Sequence, residues 1–550
     1  MTDAPVGADR PSGSPLRRFS LAVAIVVLVL LPLAPRAPAA LADGFPLAIL
    51  GVPAESILVL FVLFMVPWRP VRLVLAACFG VVVVFAIVLG AIDAGYREVL
   101  DIPFDPLDWQ QLGDAFGVVT GAIGAGPAIT LVVLIAIATA LSIVALAWAV
   151  LRVDTAMRHD RGRGTCAIAA VAAVWIVGAA TGAHLVPGRP IAAAAAVHAI
   201  STSASHSAAG LTAVAALPRQ IAADRFRATP GSRLLTGLEG KDVVFAFVES
   251  YGRVAVQGTD FSADIRRTLR EGNAQLEADG YVSRSAFLTS PTFGGLSWLA
   301  HSTLMTGLWV DRQPVYSKVI RSDRLTLSEI FGRAGWHTVS LSPAGTEPWS
   351  FGTSFYHFDT LIDASDVGYR GPSFGYALVP DQYTWKHLAD EVLAADDRPV
   401  MAEVDLLSSH TPWAPLPELV PWPEIGDGSV FGSQAARGES AAEVWKEPGR
   451  VREAYARSIR YALAAMLSFL HESDDPDLVL VVLGDHQPAT IVTGRDPGHD
   501  VPISIISKDP AVSDAIDEWE WEDGVLPGPD APVWPMSAFR DRFVDAFSRG

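Results

Sequence analysis

Apolar side chains run almost without interruption through the first 190 residues, then come in short bursts. Stretches at about 19–35, 47–67, 72–93, 128–151 and 166–186 are each near the ~20 residues that an α-helix needs to cross a bilayer. From Asp242 onward, brief β-branched runs alternate with helical periodicity. Strands are expected at Asp242–Val248, Thr338–Leu341, Val400–Leu406, Val479–Leu483 and Pro502–Ser507. Helices are expected at 262–279, Leu325–Ala334, Tyr383–Ala394 and Glu453–Glu472, with another starting at Ser297. Continuous apolar runs read as strands buried on both faces, and their alternation with helices implies a mostly parallel sheet between helical layers. The expected organisation is a membrane region of about five helices over 1–186, a connector over 187–240 and an α/β domain over 241–550. In the connector, which Pro187, Pro190, Pro218 and Pro230 break up, Ala-rich 191–217 reads as an amphipathic helix along the membrane surface; residues 414–449 read as a loop.

Charge adds orientation. Arg17 and Arg18, Arg69 and Arg72, and Arg152, Arg158, Arg161 and Arg163 flank alternate ends of the apolar stretches. Loop 94–127 is instead acidic, with Glu98, Asp101, Asp105, Asp108 and Asp114. Basic loops stay on the cytoplasmic side, so the N-terminus is expected inside and residue 187 onward outside, with Phe104 and Trp109 near the outer interface. Further spans follow the first at once, which disfavours a cleaved signal peptide. The stretches hold few charges, with Asp93 at an end, which points to an anchor rather than a transporter. The net charge of −18 excludes a nucleic-acid binder, which needs a basic surface. The two cysteines, Cys78 and Cys166, lie in the apolar half, leaving the α/β domain without disulfide or thiol chemistry.

The candidate chemistry sits where the strands end. Asp242–Val248 runs into Glu249, Val400–Leu406 leads to His410, Val479–Leu483 leads through Gly484 to Asp485 and His486, and His499 precedes Pro502–Ser507. Ser297 follows Gly294-Gly295-Leu296 at the start of a helical pattern that Gly307 can cap. Taken singly, a polar turn or a plain N-cap serine accounts for each of these. Along one edge of a parallel sheet they can converge, and a carboxylate–imidazole set with a hydroxyl suits a divalent metal and a nucleophile.

In order and context these residues resemble the alkaline phosphatase/sulfatase superfamily, particularly its membrane-anchored lipoteichoic acid synthase and phosphoethanolamine transferase group. The marks are Phe247-Val248-Glu249-Ser250, Ser297 ten residues before Gly307, His410 in a His-x-Pro setting, and Gly484-Asp485-His486. Ser297 to Gly307, with His301, is also similar to the nucleophile helix of nucleotide pyrophosphatase/phosphodiesterases. The resemblance implies metal ligands at Glu249, Ser297, Asp485 and His486, and a nucleophile at Ser297. It further implies substrate contacts at His410, His499 and Trp349, with His499 alternatively serving a second metal. Many anchored relatives use threonine as nucleophile, which makes Thr292 a rival. The arginine that lipoteichoic acid synthases carry shortly after the Trp349 position is replaced by Ser350, Phe351 and Gly352, and the Cys-x-Pro-x-Arg motif of classical sulfatases is missing.

The implied activity is transfer of a phospholipid-derived head group, of phosphoglycerol or phosphoethanolamine type, to an envelope glycan or lipid through a phospho-serine. An envelope phosphodiesterase, phosphatase or sulfatase-like hydrolase is the alternative. One divalent ion is implied, manganese or magnesium by the oxygen-rich ligands, with zinc permitted by the histidine. The implied location is a bacterial-type cytoplasmic membrane with the catalytic domain outside.

Overall fold

The computed structural model describes residues 15–42, 46–100, 103–106, 125–186, 189–346, 349–395, 398–494 and 497–548. The expectations for Asp101, Asp108, Trp109, Asp114 and Pro187 lie outside the described residues. The chain divides into two compact units, 1–97 with 103–209 and 98–102 with 210–550.

In the first unit, helices cover Pro15–Leu33, Ala54–Met65, Arg69–Leu100, Ala125–His159 and Arg161–Thr181. Among the described residues, four segments are long and apolar enough to cross a membrane: Pro15–Leu41, Arg69–Arg97, Gly126–His159 and Arg161–Thr181. Ala54–Met65 is apolar but shorter, 12 residues or ~18 Å. Small and branched residues, among them Ala24, Leu63, Ala76, Val83, Leu146 and Ala149, fill the space between helices. Leu134, Ile135, Leu141 and Val144 point outward, more than half exposed, as side chains do when lipid is the solvent. The helices extend past the expected spans and take charges with them. Asp154, buried at 1 %, bonds Arg72 at 2.6 Å and Arg158 at 2.9 Å, so each charge is paired. The last helix stops at Gly182, whose φ of +62° turns the chain, before the expected 186.

Ala195–Ala222 is one helix, with Pro218 inside it rather than ending it. Pro218 has no N–H to give the Val214 carbonyl, so that bond is missing from the last turns of the helix.

The second unit is built on a twisted sheet. Its strands are β1 (Asp242–Val248), β2 (Val282–Thr289), β3 (His337–Leu341), β4 (Thr360–Ile362), β5 (Val400–Leu406), β6 (Leu478–Gly484), β7 (Asp500–Ser507), β8 (Glu522–Asp523) and β9 (Val533–Pro535). The order is β8-β2-β7-β6-β1-β5-β3-β4, with β9 also on β2. Strands β6, β1, β5, β3 and β4 pair in parallel, whereas β7 runs antiparallel to β6 and β2 to β7. Alternate residues of β1 feed the two faces. Val244, Ala246 and Val248 join a core with the Ser262–Ala278 and Pro448–Glu472 helices. Val243, Phe245 and Phe247 join the other, with the Ser297–Thr306, Leu327–Ala334 and Phe539–Phe547 helices. Phe245 is wholly buried against Phe331 and Phe543; truncating such a ring costs ~3–5 kcal/mol. The C-terminal tail belongs to this core: Trp519, Trp521 and Trp534 pack ring to ring at 5.1–5.3 Å.

Candidate active site

Pairing places the candidate groups. Gly484 of β6 lies opposite Val248 of β1. The next residues, Asp485 and Glu249, are therefore neighbours at the edge where both strands end. Gly484 is required there, because a Cβ would stand 1.9 Å from the Tyr251 carbonyl oxygen. The antiparallel β7 begins at this edge, and β2 ends at it. From β2 the chain passes Ser290 to Gly294, whose N–H donates to the Gln487 carbonyl at 2.9 Å, and then to Leu296 at φ +65°. A non-glycine residue in the left-handed region costs energy, and here it aims the first residue of the Ser297–Thr306 helix. Ser297 thus sits at the positive end of a helix dipole.

Four groups meet. The Ser297 hydroxyl donates to Glu249 Oε2 at 3.1 Å and lies 3.2 Å from His486 Nε2. His486 Nε2 stands 3.4 Å from both Glu249 Oε1 and Asp485 Oδ2. The orientation is built in from behind. Ser250 N–H and His486 N–H both donate to Asp485 Oδ1, at 2.8 and 2.7 Å, and His486 Nδ1 faces the Gln487 carbonyl at 2.8 Å. That contact places the proton on Nδ1 and frees Nε2 as a ligand. Asp485 Oδ2 is buried without a hydrogen-bond partner. Two carboxylates, one imidazole and one hydroxyl converging around an unsatisfied oxygen fit a divalent ion, and Glu249, Asp485 and His486 are close enough to share one. Burial raises the Asp485 carboxyl, with the Glu249 carboxylate adding to it. Burial opposes ionisation of Glu249 as well, but the His410 and His486 imidazoles bring it below the usual carboxylate range.

The site opens into a cavity of about 340 Å³. His410 lines it, stacked on Tyr376 with centroids 3.6 Å apart, and Trp349 lines it near Tyr356. Two candidates stand apart. His499 is not among the lining residues; its ring lies against Phe293 at 5.7 Å. Thr292 is buried at 1 %, its hydroxyl near Ser290 Oγ rather than the cluster.

A second acid–imidazole cluster was not anticipated from the sequence. His301, one helical turn after Ser297, stacks on Phe247 at 3.7 Å, and its Nδ1 lies 3.0 Å from Glu403 Oε1 and 3.6 Å from Asp405 Oδ1. Burial would lower its pKa, but Asp405 and Glu403 raise it to about 9, so it is an imidazolium at neutral pH. Burial raises the Glu403 carboxyl. A signal did exist in the sequence: Glu403 and Asp405 fall at alternate positions, hence on one face, of an otherwise apolar strand buried on both sides.

Residues 241–504 match the family model described as Sulfatase. Among solved structures, the chain is similar to the lipoteichoic acid synthase LtaP of Listeria monocytogenes, at 13% identity over 60% of this chain and 77% of that one, TM-score 0.37. It is similar to the phosphoglycerol transferase GacH of Streptococcus pyogenes, at 13% identity over 61% and 92%, TM-score 0.36. It is also similar to the integral membrane lipooligosaccharide phosphoethanolamine transferase A of Neisseria meningitidis, at 12% identity over 98% and 96%, TM-score 0.46. No curated protein sequence matches the chain.

Proposed function

We propose, from the premise that residues 241–504 of this chain form a sulfatase-family domain, that the protein is a membrane-anchored, metal-dependent phosphotransferase. It moves a phospholipid-derived head group, of phosphoglycerol or phosphoethanolamine type, to an envelope glycan or lipid. The observation that carries this reading is the Ser297 hydroxyl at 3.1 and 3.2 Å from Glu249 and His486, at the mouth of a cavity and a helix N-terminus.

A divalent ion held by Glu249, Asp485, His486 and Ser297 would lower the pKa of the serine hydroxyl and offset phosphate charge; manganese or magnesium suits the oxygen-rich set, and zinc is permitted. Ser297 releases its hydroxyl proton to solvent water, and its Oγ forms a bond to phosphorus while the bond from phosphorus to the diacylglycerol oxygen breaks. The leaving oxygen takes a proton, for which His410 at the cavity wall is the donor. In the second half, His410 takes the proton of the acceptor hydroxyl as that oxygen bonds phosphorus, and Ser297 Oγ leaves and regains a proton from water. Backbone N–H groups at the start of the Ser297–Thr306 helix face the phosphoryl oxygens. Trp349 and His410 hold the body of the substrate. The four long apolar helices keep the chain in the lipid, where donor head groups are concentrated. With cysteines only at positions 78 and 166, the domain has no cysteine from which a formylglycine could be made. In this reading the membrane is a bacterial-type cytoplasmic membrane and the domain faces outward.

Full-length protein in nanodiscs, supplied with manganese and mixed bacterial phospholipids, tests this by intact mass and diacylglycerol release. A head-group phosphate adduct that is absent in Ser297→Ala, with release stimulated by an acceptor, is the expected result. Release without any need for an acceptor would shift the assignment to the hydrolase. Metal-loaded protein that gives neither adduct nor release would end the phosphotransfer reading.

A further inference from the structure

The cavity carries an electrostatic imbalance that the metal site does not resolve. Among its described lining residues there is no lysine or arginine, yet Glu249, Glu403, Asp405 and Asp485 are all there. Glu249 and Asp485 belong to the metal cluster. Glu403 and Asp405 share a single ring nitrogen, His301 Nδ1, at 3.0 and 3.6 Å, so two carboxyl groups compete for one counter-charge. The geometry shows which oxygen is left unmatched. Glu403 Oε1 faces His301, and an Asp405 oxygen accepts from Ser342 Oγ. Glu403 Oε2 has no hydrogen-bond partner, although the residue is only 5 % exposed. A buried carboxylate oxygen without a donor is costly unless something delivers one.

We propose that His301, Glu403 and Asp405 form a subsite for a primary ammonium group on the transferred head group, so that the donor is an amino-alcohol phospholipid. This deepens the phosphotransfer reading and rests on it. Asp405 pairs with Phe247, two residues before Glu249, and Glu403 with Phe245, four before, so the near edge of the subsite lies ~7 Å behind the metal cluster along the strand, and the Glu403 carboxylate, from ~13 Å behind, meets the same His301 nitrogen. A head group of two or three carbons spans that distance from its phosphorus. Tyr316, Trp349, Tyr356 and Tyr376 line the same cavity, and aromatic faces attract a cation. A glycerol head group would bring hydroxyl donors but no positive charge. The phosphate needs no arginine here, because the metal cluster and the helix N-terminus serve it. Glu403 Oε2 asks for an N–H donor, so a primary ammonium is preferred over a quaternary one.

The test uses full-length, manganese-loaded protein in vesicles of phosphatidylethanolamine, phosphatidylglycerol or phosphatidylcholine, followed by diacylglycerol release. Phosphatidylethanolamine is expected to exceed both others by about tenfold or more in kcat/KM, the worth of a hydrogen bond to a charged group. Glu403→Gln keeps the side-chain shape and is expected to reduce that preference by about tenfold. Equal use of phosphatidylglycerol by the wild type, or an unchanged preference in Glu403→Gln, overturns the subsite while leaving phosphotransfer standing. Calorimetric binding of soluble phosphoethanolamine against glycerol phosphate separates the opposite case. Selective binding that Glu403→Gln abolishes, in a protein that releases no diacylglycerol, supports the subsite and removes the transfer. A second equivalent of manganese, lost in Glu403→Gln, would make the cluster a metal site and overturn the ammonium assignment.

Discussion

The two acid–imidazole clusters of the second unit have the same chemical parts, two carboxylates and one histidine each, and opposite surroundings. Glu249, Asp485 and His486 stand just past the ends of parallel strands, where backbone N–H groups bond Asp485 Oδ1 and leave Oδ2 bare. Glu403 and Asp405 lie within β5 and are partly neutralised by a histidine from a neighbouring helix. Strand ends supply unpaired backbone donors and open space, so the first set can receive a metal ion. Mid-strand positions have their backbone already committed to the sheet, so the second set must find its counter-charge among side chains or in a ligand. Position along the strand, not ligand type, separates the two.

The sharpest way to probe that difference is to remove the hydroxyl that touches both a carboxylate and the imidazole of the first cluster. Ser297→Ala is expected to lower kcat by at least about a thousandfold, with the fold intact by circular dichroism. Retention of a tenth of the activity would mean that another group is the nucleophile. Next in size, Asp485→Asn is expected to weaken manganese binding by about a hundredfold or more, read by metal titration. In the wild type, saturating manganese at a hundred times its Kd should add ~2.7 kcal/mol to stability, and chelation should reverse it. Glu403→Gln should keep this metal-dependent rise in Tm; its disappearance would merge the clusters into one metal centre.

The second cluster makes its own prediction through pH. The His301 pKa rises from 6.5 to about 9 in the folded protein, under Asp405 and Glu403, with Asp485 contributing. A raised folded-state pKa means that its stabilisation is complete below pH 6.5 and is lost as the pH climbs through about 9. Tm of the metal-free wild type should therefore fall over that window, and His301→Gln should flatten the fall. A profile that is level in both proteins would show that the imidazolium contributes nothing. Smallest of all, Trp349→Ala, at a side chain already 37 % exposed, should raise KM by about two- to fivefold with little change in kcat.

Much of this was legible along the chain. The apolar runs predicted β1, β5, β6 and β7 to within a residue or two, and the polar residues at their ends nominated Glu249, His410, Asp485 and His486. The strand β2, Val-Ser-Arg-Ser-Ala-Phe-Leu-Thr, was missed because its first half has no apolar run to mark it. His499 was well placed by order, just before a strand, but its ring turns to Phe293 instead of the cavity. Periodicity is also blind to direction: β7 reads like its neighbours, yet runs antiparallel to β6.

By itself, then, the sequence determined the long apolar strands β1, β5, β6 and β7, the long apolar helices of the first unit, and which residues stand at the ends of those strands. These are properties of one chain's local pattern, set by the periodicity of side-chain burial. Only the tertiary structure decided that Ser297 rather than Thr292 touches Glu249 and His486, and that His301 from one helix meets Glu403 and Asp405 from a strand about a hundred residues later. Those meetings depend on strand register and on how one helix lies across the sheet. Burial then turns such proximity into charge pairing and unsatisfied oxygens, quantities that exist only once water has been excluded.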